Sequence, residues 1–412
     1  MRILQINKYY YLRGGSERYL FELSELLKKN GHEVIPFSME NKRNKKTKYE
    51  KYFIKEVDLN KFSLKNIIKY FYNYEAVSQL KKLLAKEKIE LAHLHNITGQ
   101  LSPAIIKVLK NHNIPVVMTL HDYKLICPNA MLFTKGEICH RCQGGKYYNC
   151  LLNKCNHNSL LKSFIGMSEA YLNNKWLKSY KQIDLFISPS QYLKKIYIKF
   201  GFPKEKIIVM PNFIDINKFR ITNEKEDNYL LYFGRLSKEK GIDTLIEAMA
   251  KLNTDLKLKI VGEGEEFMNY ELSHAYRQAG IKNYGITNKV ELIGAKYDDE
   301  LAKLIKEAKA VVMPSIWEEN MPYSLLESLA YDKVVIASAI GGIPEIIKDN
   351  VNGLLFEPKN SSDLAKKILK LGKINTRKIK KQTRASILKF NSQEHYNNIY
   401  KLYNNLILAN IK

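Results

Sequence analysis

Residues 2–37 read RILQINKYYYLRGGSERYLFELSELLKKNGHEVIPF, and this stretch decides the fold. Arg2–Asn7 is a short apolar run of strand type. Gly14-Gly15 then opens a loop, and Ser16 is placed to cap a helix running to about Lys29. Leu20, Leu23 and Leu27, with Phe21 and Ser24, recur at helical spacing, and Gly31 supplies the stop. Glu33–Phe37 returns as a second strand. Strand, glycine loop, helix and strand in that order are the repeating unit of a doubly wound α/β sheet.

The alternation continues outward from this unit. Leu91–His95, Val116–Leu120, Leu185–Ser188 and Ile207–Val209 read as further strands, most of them separated by helical patterns. Strands apolar on both faces predict a buried parallel sheet. The pattern pauses at Pro211-Asn212 and restarts with Tyr229–Phe233, Lys257–Val261, Val290–Gly294, Ala310–Met313 and Val334–Ser338. After Asp243, the residues Leu245, Ile246, Met249 and Leu252 form one apolar helix face. The expected organisation is a first doubly wound domain at 1–210, a second at 211–390, a hinge near 210–225, and a closing helix within 391–412.

The 412 residues suit two or three domains. With 45% hydrophobic and 26% charged residues the chain is an ordinary globular protein, which excludes general disorder. No apolar run of about 18 residues predicts a spanning helix. No signal-peptide pattern precedes Arg2, so a cytoplasmic location is expected, and the five cysteines are poor candidates for a disulfide framework. The net charge of +25 is uneven: residues 1–200 carry +19, residues 201–350 carry −4, and residues 351–412 carry +10. That distribution implies an anionic partner for parts of the chain only, with nucleic acid, an acidic membrane surface and a phosphorylated substrate as the three classes.

In open α/β sheets ligands bind beyond the carboxyl ends of the strands, and two such units facing each other would form a cleft. The notable residues lie in those loops. Gly14-Gly15 lets a ligand approach the start of a helix, whose free N–H groups favour an anion by roughly 0.3–1 kcal/mol. Arg235 and Lys240, in GRLSKEKG at 234–241, pair a planar fork of donors with a point charge, which suits a diphosphate. Glu319 and Glu327 lie eight apart, with Glu327 expected to begin a helix and accept hydrogen bonds from ribose hydroxyls, while Glu318 offers a competing carboxylate. His121, followed by Asp122, ends a strand and is placed to position a substrate or move a proton. Each has a plainer reading beside it: a tight turn, a solvated basic loop, a pair of surface carboxylates, a structural imidazole.

The cysteines stand at 127, 139, 142, 150 and 155. Cys139-x2-Cys142 and Cys150-x4-Cys155 have spacings that seat tetrahedral zinc, with Cys127, His140 or His157 as spare ligands. The same thiolates suit an iron–sulfur cluster. The plain alternative is five reduced thiols in a surface insertion at 127–157. No Asp-x-Asp, Gly-x-Gly-x-x-Gly, Gly-x-Ser-x-Gly or Walker loop occurs, and Gly262-x-Gly264 is only a fragment of a dinucleotide motif.

Taken in order, these loops resemble the family-4 retaining glycosyltransferases, the group 1 enzymes of GT-B fold, over nearly the whole chain. The resemblance rests on Gly14-Gly15, Gly31-His32-Glu33-Val34, His121-Asp122, Pro211-Asn212-x-x-Asp215, Gly234-Arg235-Leu236 and Glu239-Lys240-Gly241. It continues through Pro314-Ser315, Glu319-x7-Glu327 and Gly341-Gly342-x-Pro344-Glu345. It implies a sugar transfer from a nucleotide-sugar donor, a UDP-sugar ahead of a GDP-sugar, to a hydroxyl with retention of configuration. Arg235 and Lys240 would hold the diphosphate without a metal, Glu327 the ribose, Glu319 the donor sugar, and His121 would stand beside the reacting centre. Gly14 and Gly15 would admit phosphates or acceptor.

One departure concerns the donor side. Met321-Pro322 stands where the family commonly has Phe-Gly, and Pro322 lacks a backbone N–H.

The resemblance also implies that the last helix returns to the first domain, the acceptor side, where a lipid-linked or saccharide acceptor is expected at the cytoplasmic face of a membrane. Adding the basic tail from 351 onward to that domain leaves the donor domain slightly acidic. Lys42, Arg43, Lys45, Lys46 and Lys48 beside Tyr49, Tyr52 and Phe53 suit an anionic membrane interface. Leu160, Leu161, Phe164 and Met167 offer an apolar face for lipid or for core packing. No nucleic-acid module is present. The competing classes are another GT-B nucleotide-sugar enzyme, an epimerase or phosphorylase, and a catalytically silent membrane-binding protein.

Overall fold

The computed structural model describes residues 1–57, 63–219, 226–264, 285, 286 and 288–411. Part of the expected hinge, 220–225, lies outside the described residues. The chain divides into two α/β units. The first comprises Met1–Asn212 and Gln393–Lys412, and the second Phe213–Ser392.

The first unit is built on six parallel strands: β1 (Arg2–Ile6), β2 (Glu33–Phe37), β3 (Leu91–Leu94), β4 (Val116–Thr119), β7 (Leu185–Ser188) and β8 (Ile207–Val209). Their spatial order is β2-β1-β3-β4-β7-β8. A short antiparallel ribbon, β5 (Phe133–Thr134) with β6 (Glu137–Ile138), lies in the cysteine-rich insertion. Every residue of β3 and β4 is buried, which is why these segments carry no polar alternation. The helix α1 (Gly15–Lys29) follows β1 and buries Tyr19, Leu20, Leu23 and Leu27. Its N-cap is Gly14 rather than Ser16, whose hydroxyl instead donates to Glu17 Oε1 at 3.0 Å.

The second unit repeats the plan with β9 (Tyr229–Phe233), β10 (Lys257–Val261), β11 (Val290–Gly294), β12 (Ala310–Met313), β13 (Val335–Ser338) and β14 (Leu354–Phe356). All pairings are parallel, in the order β11-β10-β9-β12-β13-β14. The three-residue β14 at the edge is too short to stand out in the sequence. In each sheet the chain reverses its direction of winding once, between β1 and β3 in the first and between β9 and β12 in the second. Those two switch points are where loops splay apart and leave a crevice.

The helix Ser392–Ile411 belongs, from Gln393 on, to the first unit, where it buries His395, Ile399 and Tyr403. The rest of the basic tail stays in the second unit. Residues 351–392 hold 11 basic and 2 acidic groups, so the first unit carries +21 and the second +4. This corrects the expectation of an acidic donor domain, because the helices Ser361–Lys370 and Thr376–Ile387 fold with the second sheet.

The basic-aromatic segment is corrected as well. Tyr49, Tyr52 and Phe53 are all buried. Arg43 lies over the Tyr11 ring, Lys45 over Phe21, and Lys48 pairs with Glu33 at 3.4 Å. Burial of these rings holds the segment to the sheet, so it offers no aromatic edge to a membrane. By contrast Leu160, Leu161 and Phe164 are exposed, while Met167 packs against Cys142, Tyr147 and Ala170.

Candidate functional site

The switch point of the second sheet gathers the basic loop after β9 and the acidic loop after β12. The Tyr232 hydroxyl donates to the Arg235 carbonyl oxygen at 2.7 Å, and the Leu236 N–H to that of Glu263 at 2.9 Å. Gly262, at φ +148°, makes that crossing possible, since a Cβ there would stand 1.9 Å from the Gly234 carbonyl oxygen. The Gly262-x-Gly264 fragment therefore serves the passage of the Arg235 loop.

Arg235 Nη2 donates to Glu239 Oε1 at 3.0 Å, and the Ser237 hydroxyl donates to the same oxygen at 2.7 Å. The Arg235 side chain remains 59% exposed. Lys240 is held differently. Its Nζ donates to Glu319 Oε1 at 2.5 Å, and the Ser315 hydroxyl donates to that oxygen at 2.6 Å. Glu318 and Glu319 are both buried, and the structure pairs Lys240 with Glu319. Burial pushes the Glu319 carboxyl up, and Lys240, Ser315 and Trp317 more than reverse that, leaving it below the ordinary carboxylate range. The Ile316 N–H donates to the Glu239 carbonyl oxygen at 2.9 Å, which ties the two loops together.

Glu327 is placed differently from the expectation. The helix begins at Tyr323 with Pro322 as its N-cap, so Glu327 lies in the second turn. Proline's fixed φ and missing N–H suit that entry position, which moves the helix start ahead of the glutamate.

At the carboxyl end of the first sheet, β1, β3 and β4 present a different chemistry. His121 lies two residues past β4, and its Nε2 is 2.9 Å from Nδ1 of His95, the residue after β3. His95 stacks on His93 at 4.4 Å between centroids, and its Nε2 is 2.6 Å from Gln5 Oε1. Tyr19 of α1 places its ring edge-on to His121, His95 and His395. Burial pushes His121 down to about 3, so it is neutral in ordinary buffers. It pushes the Asp122 carboxyl up, against the Lys124 backbone N–H and the charges of Lys8 and Lys124.

Gly14 and Gly15 stand at the start of α1, beside the buried carboxylate of Glu17. Glu17 accepts from Asn7 Nδ2 at 3.1 Å, so an acidic group already occupies this helix entrance. Sequence reasoning missed His95, Gln5 and Glu17. The signal for His95 was there, since His93-x-His95 at a strand's end puts both imidazoles on one face.

The zinc expectation at Cys139, Cys142, Cys150 and Cys155 finds no support. The five cysteines are free and line one cavity of about 10 Å³, yet no group of three or more His, Cys, Asp or Glu among the described residues is arranged to hold a metal ion. Cys127 donates to Asn129 Oδ1 at 2.9 Å, and Cys150 is hydrogen-bonded to Cys155. Burial pushes the Cys127 thiol up to about 11, whereas the hydrogen bond with Cys150 holds the Cys155 thiol down to about 6. The iron–sulfur alternative needs the same thiolates and fares no better.

The signature described as Glycosyltransferase Family 4 matches residues 13–218, half of the chain, and that of Glycosyl transferases group 1 matches residues 213–386. The chain belongs to this glycosyltransferase family. An uncharacterized glycosyltransferase of Methanocaldococcus jannaschii is 28% identical over 386 residues, spanning 92% of this chain and 90% of that one. The N-acetylgalactosamine-N,N'-diacetylbacillosaminyl-diphospho-undecaprenol 4-alpha-N-acetylgalactosaminyltransferase of Campylobacter jejuni is 29% identical over 258 residues, 59% of this chain and 67% of its own length. Among solved structures, Anabaena HepE in complex with UDP-glucose superposes with a TM-score of 0.69 at 19% identity, covering 98% of this chain and 100% of that one. The likeness shows a glycosyltransferase with two parallel-sheet α/β domains of the GT-B fold.

Proposed function

We propose that this glycosyltransferase moves a sugar from a nucleoside diphosphate sugar, a UDP-sugar first, to a hydroxyl of a lipid-linked or saccharide acceptor, with retention and without a metal. The observation that carries the reading is the switch point between β9 and β12, where Arg235, Lys240, Ser315 and Glu319 converge. The second unit is the donor domain in this reading. Arg235 grips the diphosphate with a planar fork, and Lys240 adds a point charge held in place beforehand by Glu319. Together they stabilise the charge that develops on the departing nucleotide, the task that a metal on an Asp-x-Asp motif would otherwise perform. Glu327 takes the ribose hydroxyls and Glu319 the donor sugar. Same-face attack by the acceptor hydroxyl accounts for retention without a protein nucleophile.

The first unit carries His121, Gly14 and Gly15 on the acceptor side. The Campylobacter relative is named for a diphospho-undecaprenol acceptor, which supports a lipid-linked substrate. No helix among the described residues is long and apolar enough to cross a membrane. The helix Leu64–Phe71 touches the helix Leu160–Ala170, and both expose apolar side chains: Leu64 and Ile68 on one, Leu160, Leu161 and Phe164 on the other. With the exposed Lys65 beside them, these residues suit peripheral attachment at an anionic, cytoplasmic membrane face.

Thermal melts with UDP-, GDP- and ADP-sugars test the donor reading. A ligand at 100 times its Kd stabilises by about 2.7 kcal/mol, so a UDP-sugar should raise Tm measurably. Arg235→Ala should abolish that rise. No rise with any nucleotide, with Arg235→Ala melting like the parent under all conditions, overturns the transferase assignment.

A further inference from the structure

We infer that His95 is a positioning residue that locks His121 in one tautomer, so that His121 presents an acceptor nitrogen to the reacting groups. The inference rests on the catalytic place given to His121 above and extends it to a residue buried behind it.

The direction of the chain of hydrogen bonds follows from its far end. The Gln5 amide turns Oε1 to His95 and leaves its Nε2 buried without a hydrogen-bond partner. With the carbonyl oxygen there, which only accepts, His95 Nε2, 2.6 Å away, carries the proton. The opposite amide orientation would reverse the chain, which the ¹⁵N measurement below decides. A neutral imidazole has one N–H, which leaves His95 Nδ1 bare. That bare nitrogen lies 2.9 Å from His121 Nε2, so His121 donates from Nε2. His121 Nδ1 is then the free lone pair, and the structure gives it no hydrogen-bond partner among the described residues.

Neutrality of both rings is a condition for this reasoning, and burial supplies it by pushing His95 and His121 well down from the ordinary histidine value. The rings are also sterically fixed. His95 is fully buried between His93 and His121, at centroid distances of 4.4 and 5.2 Å, and Tyr19 stands edge-on to both His95 and His121. A ring flip of His121 would exchange its bonded nitrogen for a carbon and break the contact with His95.

The chemical consequence is specific. His121 held this way accepts a hydrogen bond from a substrate hydroxyl through Nδ1 and cannot donate one from that atom. A sugar or acceptor hydroxyl fits, whereas a carbonyl or ether oxygen does not.

The test has two arms. In ¹⁵N-histidine-labelled protein without substrate, His121 should show a protonated Nε2 and a bare Nδ1, whose resonances are well separated. A protonated Nδ1 in the wild-type protein overturns the inference. His95→Phe keeps a ring in the stack but removes the acceptor, and should mix the His121 tautomers. His95→Asn returns an oxygen near the Nδ1 position and should restore the single tautomer.

The second arm measures nucleotide release from the nucleotide sugar that gives the largest thermal shift with the wild type. His95→Phe should lower kcat by about 10- to 100-fold with little change in donor KM, and His95→Asn should recover most of it. Should His95→Phe fail to fold, His95→Asn and its spectrum still decide. A locked tautomer with unaltered kcat in both variants overturns the positioning role and leaves the donor reading intact. Failure of the donor reading shows separately, as wild-type protein that neither binds nor turns over any nucleotide sugar.

Discussion

Gly342 donates its backbone N–H to the carbonyl oxygen of Glu319 at 2.7 Å, and a Cβ on the neighbouring Gly341 would stand 2.0 Å from that same oxygen. The Gly341-Gly342 pair thus clamps the loop that aims Glu319 at Lys240. Gly341→Ala adds a left-handed backbone cost of about 1–2 kcal/mol to the collision, because φ is +62°. Transfer activity should fall at least about tenfold, through displacement of Glu319. Gly372→Ala, whose nearest neighbour would be 3.7 Å away, is the control and should behave as wild type in melts and assays.

The Lys240–Glu319 pair is largely buried, with side-chain exposures of 19% and 5%. Lys240→Met leaves a buried carboxylate without its cation and should cost about 3–5 kcal/mol. The double variant Lys240→Met with Glu319→Gln should cost less than the sum of the two single changes, by at least about 1 kcal/mol. Denaturant titration of the four proteins measures this. Strict additivity shows that the contact carries no coupling.

Acid should destabilise the first unit early. Burial pushes His121 and His395 down to about 3, and His93 and His95 well below the ordinary 6.5. The unfolded chain takes up a proton at each site near pH 6.5 while the folded unit stays neutral. Stability is therefore complete above the unfolded value and is lost as pH falls from 6.5 towards 3, by about 1.4 kcal/mol per pH unit for each histidine. Melts should hold level from pH 8 to 7 and drop by at least about 10 °C between pH 6.5 and 5. His395→Gln should flatten that slope, and a level melting temperature through this window would contradict the buried neutral state.

The Tyr403 hydroxyl, on the closing helix, lies 2.5 Å from His93 Nδ1, and both residues are wholly buried. Tyr403→Phe removes the hydroxyl and leaves a buried imidazole nitrogen unsatisfied, at about 1–3 kcal/mol. Urea unfolding should show a lower midpoint at unchanged slope. An unshifted midpoint would mean that the helix is held by its apolar residues, such as Ile399, alone.

Flotation with liposomes reads the apolar surface. Wild-type protein should rise with anionic vesicles more than with neutral ones, and Leu161→Ser with Phe164→Ser should reduce that fraction while leaving nucleotide-sugar melts unchanged, since both side chains are exposed. Equal partitioning to both vesicle types would remove the electrostatic part of the reading.

The central strand positions were legible because strands buried on both faces are continuously apolar, and β9 and β12 match the expected spans. The strand β10 matches as well, on the alternation of Lys257 and Lys259 with buried Leu258 and Ile260. Arg235, Lys240 and Glu319 were legible because they sit in loops that follow strands, where little but a ligand or another loop calls for such residues. The start of the helix before Glu327 was less so, since Pro322 reads as a departure from a motif until its N-cap geometry is seen. The cysteine spacing pointed to a metal, but spacing along a chain says nothing of where each sulfur finds its hydrogen bond.

Sequence alone determined two doubly wound sheets, the loops that hold the candidate site residues, and a helix closing the chain, because hydrophobic period and turn residues are local properties. Only the tertiary structure decided that Lys240 takes Glu319 rather than Glu318, and that the basic helix Thr376–Ile387 stays with the second sheet. It alone joined Gln5, His95 and His121 into one line. Those residues are 90 and 26 positions apart, and their meeting depends on which strands become neighbours, a choice made by the burial of the whole sheet.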